Sequence, residues 1–190
     1  MANTEFPAIE TSRLVLRPLE LSDAPAIYAY QSNPEVHRYM SSEPPASVEV
    51  AAEPIGKWLA LPAEQRRPCW VMVLRENDRI VGTISFNQLS REEHNGQLGY
   101  EVARDQWGKG IATEAVRAVV SYGFDTMRLN RIAAYCWDCN AASQRVMEKA
   151  GMRYEGTLRQ LRHAKGAYRD MRLYSLLASE WRAGEGQRHG

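Results

Sequence analysis

The sequence predicts a mixed α/β (α+β) fold, a mostly antiparallel central sheet of about seven strands flanked by helices. Three observations carry that expectation. Short apolar or alternating runs outnumber helical ones. They fall in the order β, helices, antiparallel meander, β-α-β, terminal hairpin. The chain has 190 residues, enough for one core without disulfides or metal, and no repeat, linker or low-complexity tract divides it. Residues 1–190 are therefore expected to form a single domain, with a core from about 10 to 182 and a polar tail over 183–190.

Arg13 to Pro18, RLVLRP, alternates apolar with polar residues and reads as the first strand. Ser22 and Asp23 are cap residues ahead of APAIYAYQ, where proline is tolerated in the first turn. Asn33-Pro34 ends that helix, because a residue before proline leaves the helical region, and PEVHRYM starts another short one. After the proline-containing patch Ser41 to Ser47 comes VEVAAEPIGKWLA, predicted as a helix interrupted or offset at Pro54. Pro62 and Pro68 bracket a polar loop.

Cys69 to Leu74, CWVMVL, is a strand, and Glu76-Asn77-Asp78 turns it into its hairpin partner IVGTISF. A second polar turn, Ser90 to Gly96, leads to the strand QLGYEVA (Gln97 to Ala103). From Ala112 to Met127 the residues Ala115, Val116, Val119, Val120 and Phe124 recur at helical spacing. RIAAYCW (Arg131 to Trp137) is a strand, and Asn140 to Ala150 is a capped helix closed by Gly151. MRYEGTLRQL and YRDMRLYSLL make a long final hairpin.

The bulk numbers narrow the function classes. A chain that is 25% charged with a net charge of +1 has no field for steering toward nucleic acid or anionic lipid. The N-terminus has no basic region followed by an apolar run, and no segment reaches the roughly 18 apolar residues of a membrane span. Cys69, Cys136 and Cys139 form no disulfide framework, which points to a reducing cytoplasm. Cys136-x-x-Cys139 lacks the second ligand pair of a zinc site, and the four histidines stand at no ligand spacing, so no metal is expected.

The stretch DQWGKGIATEAV, Asp105 to Val116, runs two glycines and a lysine straight into helix-forming residues. Amides at such a helix start, where the dipole favours anions, can grip a diphosphate through backbone alone. Two phosphate-binding patterns fail here. A Walker loop needs Gly-Lys-Ser/Thr, but Gly110 follows Lys109. A dinucleotide fingerprint needs a third glycine where Thr113 stands.

A third pattern fits. Trp107 to Ala112 is similar to the coenzyme A pyrophosphate loop of the GNAT acetyltransferase superfamily, with Gly110 and Ala112 in register. TSRLVLRPL, GYEV, WGKGIATEAV, RIAAYCWDCNAASQRVMEKAGM, YEGTLR and RDMRLYSLLASEW resemble its ribosomal-protein N-acetyltransferase (RimJ/RimL-like) branch, in order along nearly the whole chain. The resemblance implies the GNAT fold with splayed parallel fourth and fifth strands. It also implies transfer of acetyl from acetyl-CoA to a primary amine by direct attack in a ternary complex.

The site residues follow from the same resemblance. Val102, Trp107, Gly108, Lys109, Gly110, Ile111, Ala112, Thr113, Asn140 and Ser143 would contact coenzyme A, the Val102 amide facing the thioester carbonyl. Glu101, Ser143 and Asn140 are the catalytic candidates, Glu101 as the base. Met147 stands where many members carry a tyrosine that protonates the thiolate, so Ser143, three after Asn140, is the candidate acid. Asn140 and Ser143 also suit a helix cap. Tyr39, Met40, Trp58, Tyr154 and Arg159 are candidates for the acceptor pocket. The acceptor is expected to be the α-amine of a ribosomal or other protein, with a small amine or a non-catalytic acyl-CoA sensor as alternatives. The edge of the final hairpin leaves a homodimer open.

Overall fold

The strands are β1 (Ile9–Glu10), β2 (Leu14–Pro18), β3 (Cys69–Leu74), β4 (Ile80–Ser90), β5 (Asn95–Val102), β6 (Arg131–Trp137), β7 (Arg153–Ala164) and β8 (Ala167–Leu177). They form one sheet in the order β1-β2-β3-β4-β5-β6-β8-β7 in the computed structural model, which describes residues 6–186. The end of the expected polar tail, 187–190, lies outside the described residues. The helices are α1 (Ala24–Gln31), α2 (Val48–Leu59), α3 (Ile111–Asp125), α4 (Ala141–Lys149) and α5 (Ala178–Gly186).

Local chemistry explains most of these elements. Apart from its first residue, β3 is buried throughout, the signature of a strand covered on both faces. In α3 the buried residues Ile111, Ala115, Val116, Val119, Val120 and Phe124 line one stripe at helical spacing. The β7–β8 hairpin turns on Lys165 and Gly166, with φ of 51° and 72°, as a two-residue turn that matches strand twist. No helix of the described residues is long and apolar enough to cross a membrane.

The feature that opens the sheet is one parallel pair. β5 and β6 pair from Asn95↔Arg131 to Leu98↔Ala134 and then stop, although β5 continues to Val102 and β6 to Trp137. Beyond Leu98 the two strands diverge and leave a wedge. This is the splayed pair that the resemblance implies.

Among the described residues the sheet has eight strands against the about seven expected, the short β1 pairing with β2 through Ile9↔Leu16 and Glu10↔Val15. Other expectations need correction. α2 runs unbroken through Pro54. The carbonyl that proline leaves unpaired, on Val50, lies on the exposed side of the helix with Pro54 itself, so water can satisfy it. The start of the expected tail is helical: α5 sets the Trp181 ring beside Phe124 at 6.2 Å, and Glu180 accepts a hydrogen bond from the Leu177 amide. PEVHRYM forms only a 3-10 turn over Val36–Tyr39. Asp23 makes no side-chain cap to α1; its buried carboxylate takes the Glu20 amide at 2.9 Å and pairs with Arg17 at 2.6 Å.

Candidate active site

Two cavities, of about 440 and 630 Å³, meet at the wedge and share Tyr39, Met40, Tyr100, Glu101, Asn140 and Ser143 as walls. The smaller runs along the start of α3 toward Arg145 and Lys149 on α4. The larger opens toward β4, β6 and the β7–β8 hairpin.

The start of α3 is built to leave amides free. Gly108 and Gly110 have φ of 76° and 81°, left-handed values that side chains other than glycine rarely adopt. No side chain caps the helix, and its first turn leaves the amides of Ile111, Ala112 and Thr113 without intrahelical acceptors. The loop is bolted to the first strands. Arg13 Nη1 donates to the Lys109 carbonyl at 2.8 Å, and Arg13 Nη2 lies 2.6 Å from Glu114 Oε2. Glu114 also accepts from Thr11 at 2.6 Å and Ser12 at 3.0 Å. Burial pushes the Glu114 carboxyl up, but these donors outweigh it, and the net shift is downward. Trp107 closes the other flank: its indole N–H donates to the Val102 carbonyl at 2.8 Å, and Arg104 lies over its ring at 4.8 Å.

Strand pairing aims one further amide at the wedge. Ala103 N–H donates to the Val81 carbonyl at 2.7 Å, and the next pairs are Gly82↔Val102 and Thr83↔Glu101. Antiparallel strands alternate hydrogen-bonded and open pairs, so the Val102 N–H points away from β4, toward the gap where pairing with β6 has ended. Gly82 permits this approach, because a Cβ there would sit 2.3 Å from the Glu101 carbonyl oxygen.

Glu101 is gripped through one oxygen. Its Oε1 accepts from Tyr30 at 2.7 Å, Gln31 at 2.5 Å and Thr83 at 3.3 Å. Among the described residues no donor takes Oε2. Burial, and then the nearby Glu101 charge, raise the Tyr30 hydroxyl well above the usual tyrosine range.

Across the wedge, Asn140 caps α4 by accepting the Ser143 amide at 3.1 Å. The Ser143 Oγ lies 2.8 Å from the Tyr100 hydroxyl, which also reaches the Ser143 carbonyl at 3.2 Å. Burial raises the Tyr100 hydroxyl, with the Ser143 hydrogen bond pulling the other way. Met147 is fully buried in the core. Tyr100 was not among the sequence candidates. Its only signal is its place in GYEV, where strand alternation puts it on the face opposite Glu101.

The smaller cavity brings together nearly all the residues expected around coenzyme A: Val102, Trp107, Gly108, Gly110, Ile111, Ala112, Thr113, Asn140 and Ser143. Lys109 is not in its wall and enters only through the carbonyl tied to Arg13. The acceptor candidates divide. Tyr39 and Met40 line both cavities, whereas Trp58, Tyr154 and Arg159 line neither. Trp58 donates to the Arg67 carbonyl at 3.1 Å and sits beside Phe6. Tyr154 packs on Tyr174 with centroids 5.5 Å apart and shares a hydrogen bond with Thr157. Arg159 lies within a bulge between Leu158 and Arg162, where Gln160 has φ of 52°, and this re-aims the strand so that Leu161 and Arg162 reach the larger cavity. Asn87, Gln97, Trp137 and Met171 also line it, none of them picked out from sequence.

A wedge between parallel strands, with a helix start and a carboxylate oxygen free of donors among the described residues, suits acyl transfer, and comparison with known proteins agrees. The acetyltransferase (GNAT) domain family matches residues 13–153, and the chain belongs to that family. It is 39% identical over 172 residues to "Uncharacterized N-acetyltransferase YoaA" of Bacillus subtilis, covering 90% of this chain and 97% of that protein. It is 28% identical over 111 residues to the ribosomal-protein-serine acetyltransferase of Escherichia coli, covering 58% of this chain and 62% of that one. The crystal structure of a GNAT-family acetyltransferase from Bacillus anthracis superposes with a TM-score of 0.80 at 30% identity, covering 90% of this chain and 99% of that one. GNAT acetyltransferases use acetyl-CoA as co-substrate. The free amides of α3, the left-handed glycines and the cationic Arg145 and Lys149 suit its phosphates.

Proposed function

We propose that the chain transfers acetyl from acetyl-CoA to the N-terminal α-amine of a protein, by direct attack within a ternary complex and within one domain. One observation carries the reading. Glu101 and the Tyr100–Ser143 hydroxyl pair both line the region where the two cavities join.

Each residue then has a task. Glu101, held still through Oε1, takes the amine proton at Oε2, directly or through a water. The amine nitrogen bonds to the acetyl carbon, the Val102 N–H donates to the carbonyl oxygen as it gathers charge, and the carbon–sulfur bond breaks. The Ser143 hydroxyl gives its proton to the departing sulfur as Tyr100 passes one to Ser143, and water then returns a proton to Tyr100 and takes one from Glu101. This replaces the tyrosine that Met147 cannot supply.

The acceptor cavity supports an α-amine over a polycation. Its wall is almost wholly uncharged, with Glu101 its one carboxylate and Arg162 its one cation, whereas a polyamine or aminoglycoside needs several carboxylates. An α-amine, with a pKa near about 7.7–8.0 against about 10.4 for lysine, also needs only a modest base. The E. coli relative named for a ribosomal protein supports the same reading.

The test is coenzyme A thiol release from acetyl-CoA with peptides, amino acids, polyamines and aminoglycosides. Release driven by peptides with a free N-terminus, and lost on blocking it, is the expected result. Release with small amines alone overturns the acceptor; tight acetyl-CoA binding with no release for any amine favours a sensor.

A further inference from the structure

Beside the larger cavity two arginines stand directly opposite each other on a strand pair. Arg162 on β7 is the direct partner of Arg169 on β8. Arg162 lines the cavity. Arg169 lies two residues before Met171, another lining residue, so both project from the same face of β8. The Arg169 guanidinium also lies over the ring of Trp137, a third lining residue, at 5.0 Å from its centroid.

Like charges placed directly opposite on an antiparallel pair destabilise it. Some arginines elsewhere in this chain are answered by carboxylates, as in Arg131–Glu155 and Arg104–Glu35. Here none answers. No carboxylate among the described residues lies within 4.0 Å of either guanidinium, and the Arg169 Nε is buried with no hydrogen-bond partner. The neighbouring Asp170 is turned to the Gln160 amide at 2.8 Å. Lys165, at the hairpin tip, is committed to the His37 carbonyl at 2.6 Å.

Resting on the acyl-transfer reading above, we infer that Arg162 and Arg169 form an anion subsite, and that the acceptor is an amine that also carries a carboxylate or phosphate group. Glu101 receives the amine at the wedge, while the arginine pair receives the anion farther out. The acceptor's own charge relieves the repulsion between the two cations, and guanidinium forks suit both kinds of oxyanion.

The test uses the full chain and free-amine peptides of equal length, bearing at their second to fourth positions neutral residues, aspartates or a phosphoserine. The expected kcat/KM is about tenfold or more higher for an anionic peptide than for the neutral one, and this ratio collapses in the R162Q/R169Q variant. The aspartate and phosphoserine arms tell carboxylate from phosphate. A ratio near one in the unmodified chain overturns the subsite while leaving the acyl-transfer reading intact.

A second measurement holds even if no peptide turns over. With coenzyme A saturating, added inorganic phosphate should raise the melting temperature of the unmodified chain more than that of the double variant. Equal shifts overturn the subsite.

Discussion

The Tyr100 hydroxyl lies 2.8 Å from Ser143 Oγ, joining the end of β5 to the first turn of α4 across the gap where β5 and β6 part. In the proposed mechanism a strand residue supplies the phenol, while Met147, at the helix position the resemblance gives to it, is sealed in the core. Tyr100→Phe keeps the ring packing and removes the hydrogen bond. If the pair protonates the thiolate, kcat falls about 10²-fold while the KM for acetyl-CoA stays nearly constant. Ser143→Ala should cost about as much, and the double variant little more. Steady-state kinetics of the three variants check this, and additive losses would show that the two hydroxyls act separately.

Glu101→Gln preserves an acceptor for Tyr30, Gln31 and Thr83 but cannot take a proton. The expected loss is about 10²-fold or more in kcat, with little change in melting temperature or in acetyl-CoA binding by calorimetry. A fall in stability of similar weight would instead make Glu101 a structural anchor.

Gly110→Ala forces a side chain into a φ of 81° and brings a Cβ within 3.4 Å of Arg13 Nη2. The strain costs about 1 kcal/mol or more, and the turned amides lose their aim. Calorimetry should show weaker coenzyme A binding by more than tenfold. Glu114→Gln, which loosens the bracket to Arg13 without touching the loop backbone, should weaken binding less.

Glu155 supplies a pH dependence of stability. Its hydrogen bonds from Arg131 and Ser175 lower its carboxyl from the ordinary value of 4.5 to about 2 in the folded chain. The unfolded state therefore binds the proton more tightly, so the stabilisation is complete above about pH 4.5 and is lost as pH falls toward 2. The pair is more than one-third exposed at Glu155, so solvent screening limits it to about 1 kcal/mol. Glu155→Gln should lower the melting temperature near neutral pH and converge with the unmodified chain in acid. A constant gap across that range would contradict the assignment.

What the sequence made legible follows the range of the forces involved. Glycine conformation and helix starts are local, so the loop from Gly108 to Thr113 could be read directly. The terminal hairpin and the stripe of α3 rest on short periods and could be read as well. Tyr100 could not, because strand alternation alone turns it away from Glu101. It meets the site only because β5 separates from β6 after Leu98 and the cavities reach both faces of the strand. The acceptor wall was the least legible part. A bulge before Arg162 changes which residues of β7 face inward, and a bulge is a relation between two strands. α5 escaped notice for a similar reason, since its anchor is the packing of Trp181 on Phe124, far away along the chain.

The most direct test of the account is mass spectrometry of a peptide carrying both a free N-terminal amine and one internal lysine, incubated with the protein and acetyl-CoA near neutral pH. A single acetyl group on the α-amine is expected, absent with Glu101→Gln. Acetyl on the lysine alone, or none on either amine while a small amine is modified, would contradict it.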